Sequence, residues 1–511
     1  MATSYIIGID IGTQGTKAAL FDPTGTMAAE AFESSRLDRA GGAVTEDPEV
    51  QVQSVCTVIA SCAEQLPPDG EIAAIGIDGQ MAGILAVGKD GMHVTPYDSW
   101  LDTRCSSYID LMQREAGREV LSKAGAAPSF NHGPKILWWK HEHPDVFEKI
   151  RAFVQPGSYA AMRLCGLSGD EGYIDRTYLH FSGYADNQHS RWDPELCERF
   201  GVPREKLPHI RNPEERVGTV TSEMAHACGI RAGVPVVAGC GDTAASFLAS
   251  GATAGGVCVD VAGTASVFAA STTAFHPDTE SGILGVGQSA IEGLWHPFAY
   301  INGGGMNLEW FRSELTGSRL RDEAQHAGFD ELNALAAQAP PTGIYPLFVP
   351  HLAGRVMPPQ PTLRGAFVGL EWEQGTGALY RAMLEGVALE YGIYQKALNA
   401  LDPGYRIEEL RVTGGGEKSE LWNRIKATVL GTPVRQVLGS GGAPMGSAMV
   451  AAYGIGLFSE LPEAPRTWLD FGSSYEAFGE LADLYRKKLD AYEQLLDTLN
   501  GFSREIADRY S

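Results

Sequence analysis

"YIIGIDIGTQGTKAALFD", residues 5–22, sets an apolar run, a glycine-rich turn and a second apolar run in series. The runs read as two strands of a hairpin, and the turn between them as a place where backbone amides meet an anion. Two well-known phosphate loops fail on spacing. A Walker A loop needs GxxxxGK[ST], but in "GTQGTK" Lys17 stands two residues after Gly15 and no Gly-Lys pair follows. A dinucleotide loop needs GxGxxG leading into a helix; Gly8, Gly12 and Gly15 are spaced otherwise, and "TKAALFD" is strand-like. What remains is a turn whose amides, Thr13 and Lys17 would donate to phosphate oxygens, with Asp10 at its base to hold a magnesium ion through water. An ordinary glycine-rich hairpin with a surface lysine fits these residues equally well.

The pattern returns half a chain later. "VPVVAGCGDTAASFLASG" (234–251) reads as strand, tight turn, helix, and "GGVCVDVAGTASVFAAS" (255–271) as strand, Gly263-Thr264 turn, strand. Two halves that each open in this way suggest a duplication. A chain of 511 residues suits two domains, here 1–250 and 251–511. Strand and helix patterns alternate throughout, which is the mark of an α/β protein. Strands are expected at 72–80 and 83–88, helices at 104–124, 134–150 and around 375–398, and a strand, triple-glycine turn and helix at 409–431. Phe478, Leu481, Tyr485, Leu489, Tyr492 and Leu496 make the apolar stripe of a terminal helix within 474–510, packed on its own domain.

A net charge of −23 argues against nucleic acid or an anionic membrane as partner. Eight cysteines without a CxxC pair favour reduced thiols over disulfides or zinc. No apolar run approaches about 18 residues, and no leader precedes the first strand, so a cytoplasmic protein is expected. "HEHPD" (141–145) is not HExxH and reads as a helix end. Trp138-Trp139 reads as core packing, with one ring lining a ligand site as the alternative. Asp242, in a Gly-Asp-Thr turn after an apolar strand, is either a helix N-cap or a carboxylate facing a cleft.

Together these motifs resemble the FGGY carbohydrate kinase family of the actin-like ATPase superfamily, and within it the xylulokinase branch. "GIDIGTQGTKAAL" resembles the family's first phosphate loop and "AGTAS" its second. "GIDGQMAG" and "SWLDTRC" resemble its sugar-contacting segments, and "PKILWW" a substrate-domain helix start. "GCGDTAAS" resembles the segment bearing the catalytic aspartate, "LRGAFVGLE" with "RAMLEGVALEY" the C-terminal signature, and "TGGGEKSELWN" the adenine-site turn. The resemblance covers nearly the whole chain.

It implies two actin-like (ribonuclease H-like) domains around an active-site cleft, and transfer of the γ-phosphate of ATP to a small sugar, a ketopentose first, with Mg2+. Asp242 would be the general base and Asp10 the metal-organising carboxylate. Thr13, Gln14, Lys17, Gly263 and Thr264 would meet the phosphates; Gly305, Glu309, Gly415, Gly416 and Asn423 would flank the nucleotide. Gln80, Met81, Ala82, Asp102, Arg104 and Thr243 would join Asp242 around the sugar. The sequence departs from the xylulokinase pattern at Ala82 (histidine there), Leu101 and Thr243 (asparagine at both), and at Arg355-Val356 in place of a glutamate-arginine pair. Another ketose, a deoxy sugar, an aldonate or a polyol is therefore the alternative acceptor, and a non-kinase ATPase or sugar sensor a more distant one. The resemblance leaves a homodimer open.

Overall fold

The computed structural model describes residues 3–316 and 328–510. The opening stretch forms the expected hairpin: β1 (Thr3–Ile11) pairs antiparallel with β2 (Gly15–Phe21). β3 (Met27–Ser34) extends it antiparallel, and β4 (Gly70–Gly79) runs parallel to β1 on the other side. With β5 (Arg216–Thr219) and β6 (Pro235–Val237) the order is β5-β6-β4-β1-β2-β3. Ile7, Ile9, Ile75 and Ile77 are fully or almost fully buried, because both faces of this central parallel pair are covered by helices.

The second sheet holds β7 (Val257–Ala262), β8 (Ser266–Ala270), β9 (Gly285–Gln288), β10 (Trp295–Ile301), β11 (Glu409–Thr413), β12 (Val434–Leu438) and β13 (Asp470–Tyr475). Its order is β9-β10-β8-β7-β11-β12-β13. The topology of the first sheet is repeated: a hairpin, a third antiparallel strand beyond it, two parallel strands on the opposite side, and an antiparallel edge. β9 is the addition.

The helices that matter to the site are α1 (Pro48–Ala63), α2 (Asp242–Leu248), α3 (Gly304–Trp310), α4 (Thr376–Leu401), α5 (Glu420–Leu430), α6 (Ala443–Gly454) and α7 (Ala482–Tyr510). The helix expected at 134–150 is two, His132–Glu142 and Pro144–Lys149. Pro144 has no N–H and pushes His143 out of the helical region, so one helix ends where the next begins. In α7 the stripe is buried from Tyr485 to Leu496, and Phe478 and Leu481 pack against the same domain just before the helix starts. Lys488 lies within the stripe, bonded to Glu385 at 2.6 Å.

The division at residue 250 describes the sheets but not the chain. α6 lies on the first sheet, packed against β1, β4 and α2, and joins Ile6, Phe21 and Val237 in one core cluster. A Cβ on Gly8 would meet the Pro444 carbonyl oxygen at 1.8 Å, and one on Gly76 the Ser447 carbonyl oxygen at 2.2 Å. Only glycine admits the helix this close. Residues from Ala443 to Leu469 thus pack on the first sheet from beyond residue 250, in a cluster that also takes Ile291, Leu294 and Val437 from the second domain.

Candidate active site

Two cavities meet at the second Gly-Thr turn. Gly263 and Thr264 face a cavity of about 750 Å³ within the second domain. Ala265 faces another of about 370 Å³ between the domains.

The smaller cavity is built on the C-terminal ends of β1 and β4. Asp10 and Asp78 are register partners on these parallel strands, each ending an Ile-Gly-Ile-Asp tetrapeptide (7–10 and 75–78). One carboxylate oxygen of each is buried without a hydrogen-bond partner. Burial first, then the charge of Asp10, push Asp78 well above the usual carboxylate range, although Ser447 Oγ donates to it at 2.5 Å. Burial also raises Asp10, opposed by the neighbouring Asp78 carboxyl and by the charge of Lys17.

Asp242 is the first residue of α2, whose N-cap is Gly241. Its Oδ1 accepts from the Thr243 amide at 2.5 Å and the Thr243 hydroxyl at 3.0 Å. Burial first, then the Asp10 charge, push its carboxyl up to about 7, against the pull of those two bonds. The approach is fixed from below: Thr177 Oγ1 accepts from the Gly241 amide at 2.9 Å and donates to the buried Asp175 at 2.5 Å.

Around Asp242 the cavity is lined by Thr13, Gln80, Met81, Ala82, Trp100 and Thr243. Thr13 Oγ1 bonds Gln80 Oε1 at 3.2 Å and accepts from Trp100 Nε1 at 2.9 Å, leaving the buried Gln80 Nε2 unpartnered. Thr13 therefore stands on this cavity and not on the larger one. Gln14 is exposed, and Lys17 pairs with Glu30 at 3.3 Å; neither lines either cavity.

Asp102 and Arg104 do not reach the cavity. Asp102 accepts from the Val44 amide at 2.9 Å and from Arg104, whose guanidinium also bonds Asp98 at 2.6 Å and lies over Trp138 at 4.1 Å. Trp139 Nε1 closes the cluster on Asp98 at 2.6 Å, so the tryptophan pair is core packing. Leu101 is likewise off the cavity, and Arg355 is buried against Glu390 at 2.6 Å. Of the departures noted in the sequence, only Ala82 and Thr243 bear on this cavity.

The larger cavity is walled by glycines. Gly305 donates its amide to the Gly263 carbonyl at 3.0 Å, and a Cβ on it would meet that oxygen at 2.3 Å. Gly415 and Gly416 turn from β11 into α5; a Cβ on Gly415 would meet nothing within 4 Å, whereas one on Gly416 would strike Ala262 at 2.5 Å. Glu309 lies on the wall, paired with Arg312 at 2.6 Å. Asn423 is fully buried behind it, holding the turn by donating to the Glu417 carbonyl at 2.9 Å. Phe329, Tyr380 and Trp422 add flat apolar surface.

Thr177, His180, Phe247 and Phe298 carry no motif and were not read from the sequence, and Asp78, inside the GIDGQMAG segment, was not singled out. The repeated Ile-Gly-Ile-Asp was the available signal for Asp78. Among the described residues no three metal-ligating side chains converge, and no helix is long and apolar enough to cross a membrane.

The family profiles for the N-terminal and C-terminal domains of the FGGY family of carbohydrate kinases match residues 5–249 and 258–455. A xylulose kinase of Escherichia coli is 27% identical over 96% of this chain and 99% of its own. A gluconokinase of Bacillus subtilis is 26% identical over 99% of this chain and 98% of its own. The crystal structure of a xylulose kinase from Rhodospirillum rubrum superposes with a TM-score of 0.88 at 25% identity, over 98% of this chain and 100% of that one.

Proposed function

The chain belongs to the FGGY family of carbohydrate kinases and is a sugar phosphotransferase, and from that premise we propose that it phosphorylates a small ketose with ATP, Asp242 serving as general base. The observation that carries this reading is the position of Asp242: a carboxyl raised to about 7 on an interdomain cavity that shares the Gly263–Ala265 turn with a glycine-walled cavity of about 750 Å³. The xylulose kinases among its relatives favour a ketopentose, and the gluconokinase an aldonate as the second reading. The work would take place in the cytoplasm.

The residues fit the groups the reaction needs. A Cβ-free Gly415 leaves the larger cavity open for adenosine, with Tyr380 and Trp422 beside it. Asp10 and Asp78 present adjacent buried oxygens without donors, and Mg2+ characteristically takes one or two carboxylates and keeps several waters. Bound there, Mg2+ would neutralise phosphate charge.

In the transfer, Asp242 takes the proton of the acceptor hydroxyl as that oxygen bonds to the γ-phosphorus and the bond to the β-phosphate oxygen breaks, releasing ADP. Thr243 holds the carboxylate's other oxygen and so aims the free one. Gln80 Nε2 offers an unspent donor to a sugar hydroxyl.

A base must be deprotonated to act. With its pKa pushed up to about 7, kcat/KM is expected to fall about tenfold per pH unit below that point and to level off above it. A profile that stays flat through this range would remove Asp242 from the role. The reading as a whole is tested by coupled ADP release across ketopentoses, ketohexoses, polyols and aldonates. Turnover confined to polyols or aldonates, or absent throughout, would overturn the ketose assignment.

A further inference from the structure

Three successive residues, Arg176, Thr177 and Tyr178, reach three walls of the interdomain cavity. Thr177 Oγ1 accepts from the Gly241 amide and so fixes the chain entering Asp242. Tyr178 Oη donates to the Gly79 carbonyl at 2.8 Å, immediately before Gln80. Arg176 crosses into the second domain. Its Nη1 donates to Gln288 Oε1 at 3.1 Å and to the Ser289 carbonyl at 2.8 Å, and its Nη2 to the Ala290 carbonyl at 2.8 Å. Gln288 ends β9 and lines the cavity from that side, next to Gly287.

The guanidinium is buried, its Nε has no acceptor, and the three oxygens it bonds are all uncharged. Glu214, Asp175 and Glu292 act on it by charge without accepting from it. A cation is costly to bury in this way. What it supplies is a rigid fork of donors that fixes its acceptors in direction as well as distance. The same stretch of the second domain is held from other sides. Gln288 Nε2 donates to the Asn187 carbonyl at 2.8 Å and to Ser190 Oγ at 2.9 Å. β9 is an edge strand, and the first domain meets its open edge main chain to main chain, Val286 donating its amide to the Gly125 carbonyl at 2.8 Å. Beyond Ser289, Ala290 and Ile291 enter the core cluster that holds Ala244 and Ala245 of α2.

We propose that Arg176 is a positioning residue for phosphoryl transfer, which clasps the Gln288–Ala290 wall of the second domain to the segment that fixes Asp242 and Gln80. Through β9 it aligns the second sheet, and with it the Gly263–Ala265 turn, against the base. This rests on the kinase reading above.

The test compares Arg176→Met, which keeps the length of the side chain and removes every donor, with Arg176→Lys, which keeps the charge and some of the bonds. Two quantities are read on each: kcat with the ketose that the unaltered protein turns over fastest, and the affinity and stoichiometry of ADP by calorimetry. The methionine variant is expected to lose about 100-fold in kcat, the effect of a misplacement of about 1 Å, and the lysine variant about tenfold, since an ammonium lacks the fork. ADP should bind both with unchanged affinity and one site per chain, because the larger cavity lies within the second domain. Full turnover by Arg176→Met overturns the inference and leaves the kinase reading intact. A fall in ADP sites that matches the fall in kcat overturns it too, by showing a loss of folded protein in place of misalignment. An equal loss in both variants overturns the role given to the donor fork. No ADP release from the unaltered protein with any ketose, polyol or aldonate overturns the kinase reading and the inference with it.

Discussion

Asp242→Asn is expected to lower kcat by about 10²–10⁴-fold, the range for loss of a positioned general base. Asparagine keeps an oxygen to accept from the Thr243 amide and hydroxyl, so the start of α2 should be undisturbed. What it loses is the capacity to take a proton. The carboxyl is raised because burial penalises its charge, so removing that charge should leave the melting temperature unchanged or higher. Steady-state ADP release and a thermal melt on the same preparation separate the two effects. Near-normal turnover in the variant would sink the base assignment, and a large loss of stability would mean that the kinetic effect is structural.

The second large effect is on stability. Lys426 Nζ lies 2.5 Å from Asp260 with both side chains fully buried, and Tyr391 donates to the other carboxylate oxygen at 2.7 Å. Lys426→Ala leaves Asp260 charged in the core of the second domain, and a destabilisation of about 3–5 kcal/mol is expected. The denaturant midpoint reports it. Lys426→Met combined with Asp260→Asn removes both charges at similar volume and is expected to recover most of the loss. If the double variant is as unstable as the single one, loss of the ammonium's contact with the Trp422 ring, over which Nζ lies at 3.7 Å, is the cause instead.

Asp260 also shows why the two hairpins do different work. Asp10 stands two residues before Gly12, whereas Asp260 stands three before Gly263. Side chains alternate along a strand, so one residue of offset turns the carboxylate from the cleft into the core. The second Gly-Thr turn partitions the cavities but brings no carboxylate to them.

The hairpins, the glycine turns and the terminal stripe were legible because each depends on neighbours within one element. Asp102, Arg104 and Asn423 were not, because what occupies them comes from elsewhere in the chain. Asp102 is claimed by the Val44 amide, 58 residues away. Asn423 sits on the inner side of α5, and its distance from the cavity is set by how α5 packs. The return of α6 had no local signal at all, since its sequence is a generic small-residue helix.

That return imposes an order on synthesis. The first sheet lacks its cover over Gly8 and Gly76 until Ala443–Gly454 has left the ribosome, by which time the second domain is almost wholly made. The first domain therefore cannot mature as an autonomous vectorial unit, although its strands, including the short Cys240–Gly241 strand paired with β4, are complete by residue 241. A fragment ending near residue 250 is expected to be protease-sensitive and to regain protection when a 440–470 peptide is supplied; resistance of the fragment alone would show that the sheet tolerates an uncovered face. The protein is thus laced rather than strung: its two lobes share a late-arriving strap, and neither a simple cut nor a simple fusion at the midpoint separates them.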